Sequence, residues 1–144
     1  MCIRDRPVWP AGTHLRSFAD GERAIETHAI LSAAYRDGGG NVEPFDAWWH
    51  SVRTDSEYEP SLLFIIVTRS DEAIAMAHCW RDAYLKDLAV AGGWRRKGLG
   101  TAILLHVFEC FRLSGAQSLD LKVLDDNPNG AERLYRSLGM RTVR

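Results

Sequence analysis

The chain has 144 residues, of which 46% are hydrophobic and 26% charged, and its formal net charge is −1 at pH 7. This length suits one domain with its own core, and the nearly neutral charge argues against general binding to nucleic acid or to anionic membranes. Three cysteines without a regular spacing favour a reducing, cytoplasmic compartment, and no apolar run is long enough to span a bilayer.

The two ends of the chain look artificial or abrupt. Residues 1–6, MCIRDR, match the translation of a sequencing adapter and are treated as an artificial leader. Residues 140–144 look like a strand that has just begun. We therefore expect residues 7–144 to form one domain of a longer polypeptide.

A strand and a helix are predicted at the start of this domain. Residues 13–18 alternate with the period of a short strand. Asp20 is a suitable N-cap for a helix that continues to about residue 35. The buried stripe of this helix is expected to contain Ala24, Ile25, His28, Leu31 and Ser32.

A second, shorter helix is predicted after Pro44, because proline is favoured in the first helical turn. Its apolar face would comprise Phe45, Trp48, Trp49 and Val52. This face either packs into the core or forms a wall beside a substrate. Residues 54–60 are polar and are predicted to form a loop.

Three successive antiparallel strands are predicted next. Residues 61–67 form a nearly continuous apolar run, which indicates a strand covered on both faces. Short turns then separate it from strands over residues 73–80 and 83–90. A helix over residues 99–113, a strand over 119–123, a loop and a short helix over 131–138 complete the chain.

The loop between the third of these strands and the following helix has the composition of an anion site. It contains Arg95, Arg96, Lys97, Gly98, Leu99, Gly100 and Thr101. Main-chain N–H groups at a helix start would surround a pyrophosphate, glycines would allow close approach and the cations would add charge. A dinucleotide loop would need a third glycine, and a Walker loop would need its lysine after the glycine. An exposed basic turn without a ligand is the alternative.

From residue 85 to its end, the chain resembles the GNAT superfamily of N-acetyltransferases. The resemblance rests on the strand Leu88-Ala89-Val90, on the loop above in the family's Arg/Gln-x-x-Gly-x-Gly/Ala pattern, and on Asn127, Tyr135 and Leu138-Gly139-Met140. It implies an α/β (α+β) fold with a mixed central sheet, mostly antiparallel in its N-terminal strands and flanked by about four helices. The first half resembles the family only in element order, and more loosely the second half of tandem enzymes related to mycothiol synthase.

The resemblance also implies individual roles. Acetyl-CoA would be the cosubstrate, with its pyrophosphate on the loop and its pantetheine arm along the main chain of Leu88, Ala89 and Val90. Tyr135 would be the general acid toward the CoA sulfur, or alternatively a core aromatic. Either Asn127 or Asn129 would fill the family's asparagine position, because the interval to Tyr135 is one residue longer than usual.

The general base and the acceptor are less determined. Asp87, on the strand beside the expected acetyl site, is the first choice as base and Glu43 the second, although either could be a surface carboxylate. The predicted acceptor is a primary amine of a small molecule or of a protein N-terminus. A non-catalytic acyl-CoA-binding half of a tandem enzyme is the alternative, and a second such domain or a second copy of the chain is an expected partner.

Other chemistries are not favoured by the sequence. The five histidines are scattered, and strand alternation places His78 and Cys79 on opposite faces, so no metal site is predicted. Cys79 and Cys110 are interpreted as core residues, because neither has a neighbouring base in the sequence.

Overall fold

A computed structural model describes residues 9–18, 21–37, 39–116 and 118–121 of the protein. They form one sheet with the strand order β1-β2-β3-β4-β5 and three α-helices. The strands are β1 (Thr13–Ser17), β2 (Leu63–Thr68), β3 (Ala73–Trp80), β4 (Tyr84–Val90) and β5 (Asp120–Leu121), and the helices are α1 (Ala24–Asp37), α2 (Phe45–Arg53) and α3 (Leu99–Leu113). The first four strands are antiparallel and β5 is parallel to β4, which confirms the predicted mixed sheet.

Strand β2 is buried on both sides because helices cover both of its faces. Phe64 and Ile66 belong to the core cluster that contains α3, whereas Ile65 and Val67 belong to the cluster that contains α1 and α2. The prediction of a doubly covered strand is therefore confirmed. The strand begins two residues later than predicted, because Pro60–Leu62 form a 3-10 turn in which the Glu59 side chain accepts from the Ser61 N–H.

Helix α3 has the predicted bounds and packs its apolar side chains on the sheet. The side chains that it buries are Leu99, Ala102, Ile103, Leu104, Leu105, Val107 and Phe111. Leu99, Ile103, Leu104, Val107 and Phe111 recur with the helical period, which is why the sequence alone located the helix, and Ala102 and Leu105 widen the buried face. No helix in the described part of the chain combines the length and apolarity needed to cross a membrane.

The predicted stripe of α1 is partly wrong. The helix buries Ala24, Thr27, Ile30 and Leu31, whereas Ile25 is 70% exposed. The side chains of His28 and Ser32 are only half-buried. Thr27 can be buried because its hydroxyl donates a 2.8 Å hydrogen bond to the main-chain oxygen of Arg23, so the group carries no unsatisfied donor into the core.

Ion pairs hold α1 at both ends. Before its first turn, the Arg23 guanidinium pairs with Asp71 in the β2–β3 turn, and Arg16 of β1 pairs with the same carboxylate at 3.2 Å. At its last residue, Asp37 pairs at 2.9 Å with Arg95, which follows β4. The helix therefore has a fixed position across the sheet.

Part of the prediction falls on residues outside the described ranges. These are the leader, the N-cap Asp20, the strand beyond residue 121, the loop over 125–130 and the helix over 131–138. Within the described residues, β5 pairs with β4 at Tyr84 and Leu85.

The corrected stripe of α1 predicts very different losses of stability for two isoleucines of the same helix. Ile30→Ala should lower the free energy of unfolding by about 2 to 4 kcal/mol, because it removes buried methyl groups and leaves a cavity. Ile25→Ala should change it by no more than about 0.5 kcal/mol. Urea unfolding of both variants measures the difference, and equal losses would show that the orientation of α1 is wrong.

Candidate active site

Strand β4 leads through a short turn into the N-terminus of α3. The Ala91 N–H donates to Ile74 of β3 at 2.8 Å, and Gly92–Trp94 form a 3-10 turn closed by a 2.8 Å bond from the Trp94 N–H to Ala91. Gly98 is the N-cap of α3 and has φ of 87°, with no side-chain cap. The first N–H groups of α3 therefore point out of the helix end without intrahelical partners, where the helix dipole favours an anion.

The space beside Gly98 is open. A Cβ added at this glycine would meet no atom within 4 Å among the described residues. The left-handed φ of Gly98 is one that glycine adopts without strain, and Arg96 also has a positive φ of 63°. The main chain is therefore accessible at the point where a pyrophosphate was predicted.

The three cations of this loop have different environments. The Arg95 side chain is used within the protein, because its Nε donates to the Val90 oxygen at 3.2 Å and its Nη1 pairs with Asp37. Arg96 and Lys97 are exposed, and the Lys97 Nζ lies 5.6 Å from the centre of the Trp94 ring. Thus Arg95 fixes the loop, whereas Arg96 and Lys97 leave their charge at the surface.

Asp87 is a buried carboxylate on β4. Its side chain is only 3% exposed, and each of its oxygens has a partner. The Tyr35 hydroxyl of α1 donates to Oδ1 at 3.0 Å, and the Lys86 Nζ lies 3.0 Å from Oδ2. Burial, followed by the negative charge of Asp87, raises the pKa of Tyr35 to about 12, so Tyr35 is a neutral donor over the working pH range.

A bulge in β4 explains why Lys86 can reach its neighbour Asp87. His78 of β3 lies opposite Asp87, but Cys79 lies opposite Leu85, so Lys86 is an additional residue without a direct partner on β3. In a regular strand, consecutive side chains point to opposite faces. The bulge breaks this alternation and allows the ammonium and the carboxylate to meet.

His78 is the other buried titratable group at this position. It is fully buried, neither ring nitrogen has a hydrogen-bond partner among the described residues, and its ring lies 4.3 Å from that of Trp80. Burial, with a smaller effect from the Lys86 charge, lowers the pKa of His78 to about 3. His78 is therefore a neutral imidazole facing the same side of the sheet as Asp87, and Cys79 packs in the cluster on the other side.

The interpretation of Cys110 as lacking a nearby base needs correction. His106 precedes it by one helical turn of α3, and its Nε2 lies 3.4 Å from the Cys110 Sγ. Burial raises the pKa of the Cys110 thiol and lowers that of the His106 imidazole, so the pair is neutral rather than a thiolate and an imidazolium. Within the described ranges, no three His, Cys, Asp or Glu side chains lie close enough to hold a metal ion.

The apolar face of α2 is core packing. Trp48 and Val52 are buried, and Trp49 packs edge-on against Phe18 at 5.8 Å between ring centres. Glu43 is exposed, and it is its main-chain oxygen, not its carboxylate, that lies 2.8 Å from a ring nitrogen of His28. These contacts favour the core interpretation over a substrate wall.

The structure brings together only some of the predicted site residues. Asp87, Leu88, Ala89 and Val90 lie on β4, and residues 95–101 follow it after the short turn over residues 91–94. Asn127, Asn129 and Tyr135 lie outside the described residues. Sequence analysis missed Tyr35 and Lys86, since Tyr35 is 52 residues from Asp87 and the contact of Lys86 depends on the bulge.

The same fold occurs in solved acetyltransferase structures. A GCN5-related N-acetyltransferase from Sphaerobacter thermophilus matches with a TM-score of 0.80 and 25% identity, over 95% of this chain and 44% of that one. Ard1 from Thermoplasma volcanium matches with a TM-score of 0.77 and 16% identity, over 93% and 86%. The ribosomal-protein-S18-alanine N-acetyltransferase from Escherichia coli matches with a TM-score of 0.71 and 21% identity, over 92% and 79%.

The sequence itself matches the model of the acetyltransferase (GNAT) family over residues 24–140. The chain therefore belongs to the GNAT acetyltransferase family. It spans less than half the length of the Sphaerobacter protein. No curated protein sequence matches it.

Because His78 is buried and neutral, we predict that the free energy of unfolding decreases as the pH is lowered. Because its folded pKa is about 3 and its unfolded pKa about 6.5, only the unfolded state takes up this proton between those values, and unfolding becomes easier as the pH falls. The contribution approaches roughly 1.4 kcal/mol per pH unit for one proton.

Urea unfolding between pH 7 and pH 4 measures this slope. His78→Leu should flatten it, whereas His50→Leu, which removes an exposed histidine of α2, should not. Protonation of carboxylates affects the unmodified protein and both variants alike, so a difference in slope between them reports the proton on His78. Parallel slopes for all three proteins would contradict the assignment.

Proposed function

We propose that the protein is an acetyl-CoA-dependent N-acetyltransferase that acts on a primary amine of a small molecule or of a protein N-terminus by direct attack. The observation that carries the proposal is the buried Asp87 carboxylate on β4, the strand that continues into the open loop at the N-terminus of α3. Membership of the GNAT family supports acetyl transfer as the reaction.

The loop after β4 fits the pyrophosphate of CoA. The main-chain N–H groups at the start of α3, from Leu99 to Thr101, would bind its oxygens, and the open space at Gly98 allows this approach. Arg96 and Lys97 would supply charge from the surface. Arg95 would act through its main chain and by holding the loop on Val90 and Asp37.

Residues of β4 and of the C-terminal segment complete the proposed site. The main chain of Leu88, Ala89 and Val90 would lie along the pantetheine arm, and the Val90 N–H would polarise the acetyl carbonyl. Either Asn127 or Asn129 would fill the family's asparagine position beside the cosubstrate. Acetyl-CoA supplies the acetyl group as an activated thioester.

Two side chains of the protein would move protons. Asp87 would accept a proton from the acceptor's ammonium, which leaves a neutral amine as nucleophile. As the new C–N bond forms and the C–S bond breaks, Tyr135 would donate a proton to the leaving sulfur. The nitrogen would release its second proton to solvent to give the neutral amide, and Tyr135 would regain a proton from solvent. Asp87 is better supported as the base than Glu43, since its carboxylate is buried on β4, the strand that leads into the loop, and Glu43 is exposed.

Two glycines with similar positive φ angles provide a test of the loop. Gly98 and Gly39 have φ of 87° and 83°, and in the part of the chain that the structure describes neither has an atom within 4 Å of an added Cβ. Alanine at either position should cost roughly 1 to 2 kcal/mol of stability, because a left-handed φ strains a residue with a side chain. Only Gly98→Ala should also weaken acetyl-CoA binding, by about tenfold or more, since its methyl group would occupy the anion's approach.

Isothermal titration calorimetry with acetyl-CoA and urea unfolding measure the two effects separately. An equal loss of affinity in Gly39→Ala, or none in Gly98→Ala, would place the pyrophosphate elsewhere.

The proposed base predicts a separation of turnover from binding. Asp87→Asn keeps the shape of the side chain but cannot accept the proton, so kcat should fall by about 10²- to 10⁴-fold while the Kd for acetyl-CoA changes little. Tyr135→Phe should give the same separation. Thiol release from acetyl-CoA with a panel of primary amines measures kcat.

The same assay distinguishes the enzyme from a non-catalytic module. Acetyl-CoA binding by the unmodified protein without thiol release for any amine would favour an acyl-CoA-binding module. Full turnover in Asp87→Asn would instead remove Asp87 from the reaction.

A further inference from the structure

The two oxygens of the Asp87 carboxylate have partners of different kinds. Tyr35 holds Oδ1 from the last turn of α1, and that turn is itself fixed by the ion pair between Asp37 and Arg95. Lys86 holds Oδ2 from the end of a long side chain that is 38% exposed. Tyr35 is also partly exposed, at 37%, so exposure alone does not separate the two partners. The Tyr35 hydroxyl is carried by a rigid ring on a helix, whereas the Lys86 ammonium is at the end of a long flexible side chain that can move into solvent.

The contact with Lys86 shows what the carboxylate is able to bind. A primary ammonium ion lies 3.0 Å from Oδ2, and the carboxylate carries only one negative charge to balance it. A second ammonium ion at the same oxygen would be repelled strongly in a site that is mostly removed from water. An acceptor's ammonium must therefore displace Lys86 before it can contact Asp87.

We propose that Oδ2 of Asp87 is the subsite for the acceptor's primary ammonium, and that Lys86 occupies this subsite until the acceptor displaces it. This inference rests on the proposed function, because it takes Asp87 as the base. Lys86 is then a specificity-determining residue that competes with the substrate. It need not touch the acetyl group.

The surroundings of Asp87 suit such an exchange. One ammonium replaces another, so the carboxylate is never left buried without a counter-ion, which would be costly. Tyr35 stays on Oδ1 throughout and keeps the plane of the carboxylate fixed, as a positioning residue. His78, which faces the same side from β3, is neutral because of its burial and adds no competing positive charge.

The exchange also defines the proton transfer. After displacement, one N–H proton of the acceptor's ammonium passes to Oδ2 and leaves a neutral amine with a free electron pair, while Lys86 stays protonated in solvent. The amine nitrogen then forms the bond to the acetyl carbon as the bond from that carbon to sulfur breaks, and CoA leaves as a thiolate. The second N–H proton that the nitrogen loses balances the proton that the thiolate takes up, so the products are a neutral amide and the free CoA thiol. A trimethylammonium compound has no N–H to donate and cannot take the place of Lys86.

Removing the competing ammonium should improve acceptor binding. In Lys86→Met, which keeps a long unbranched side chain without the charge, the KM for the acceptor should fall by roughly three- to tenfold. The Kd for acetyl-CoA should not change. Thiol-release kinetics with spermidine, tyramine and a peptide with an N-terminal alanine measure KM, and calorimetry measures Kd.

Two variants control for charge alone. Lys86→Arg keeps a cation beside Asp87 and should retain a KM near that of the unmodified protein. Arg81→Met removes one exposed positive charge from the β3–β4 turn, where it pairs with Glu59, and should leave the acceptor KM unchanged. An unchanged or higher KM in Lys86→Met, or an equal decrease in Arg81→Met, would overturn the proposal.

A binding measurement separates this inference from the proposed activity. Calorimetry on the CoA-loaded protein should show tighter binding of tyramine to Lys86→Met than to the unmodified protein, and no such gain for N,N,N-trimethyltyramine. Equal gains for both compounds, or binding of neither, would overturn the subsite. If tyramine binds as expected but no amine releases thiol, the subsite stands and the proposed catalytic function fails.

Discussion

The burial of one negative charge governs the arrangement of this site. A carboxylate taken out of water is stable only if its oxygens are hydrogen-bonded and its charge is balanced. Asp87 meets both requirements with a phenolic hydroxyl from α1 and an ammonium from the adjacent position of its own strand. The bulge in β4 and the placement of the last turn of α1 are the structural conditions for these two contacts. Two separate features of the fold thus stabilise a single buried carboxylate.

The loop after β4 separates two uses of positive charge. Arg95 is committed to the protein, because it joins the end of β4 to the last residue of α1 and so fixes the course of the chain into α3. Arg96 and Lys97 remain at the surface, and α3 contributes main-chain N–H groups and its dipole. Of the three consecutive cations, Arg95 therefore holds the fold together, and Arg96 and Lys97 keep their charges exposed at the surface.

Periodicity and turn residues were sufficient to predict most of the described elements. The bounds of α3 and β3 are as predicted, since the apolar residues of α3 repeat with the helical period and turn residues delimit β3. The prediction of the buried face of α1 was partly wrong. Thr27 is buried because its hydroxyl donates a hydrogen bond to the main chain of the same helix, whereas the apolar Ile25 is exposed. Hydropathy alone carries no information about such a local hydrogen bond.

The candidate site was predicted only where its residues are contiguous in sequence. Asp87 and the loop could be identified from the chain, but the contact with Tyr35 joins residues 52 positions apart. In a regular strand, the side chains of Lys86 and Asp87 would lie on opposite faces of the sheet. The bulge that brings them together has no signal in the sequence. The contact of His106 with Cys110 could have been predicted, because residues four positions apart on a helix lie on the same face.

The last turn of α1 touches both halves of the site, with Tyr35 on the carboxylate of β4 and Asp37 on the arginine of the loop. A displacement of this turn therefore alters both contacts together. Any change that one ligand imposes on Arg95 would be felt at Asp87, and the converse holds with the same free energy, since linkage between two sites is reciprocal. Ligands bound at the carboxylate and at the loop would then be coupled through this one helical turn.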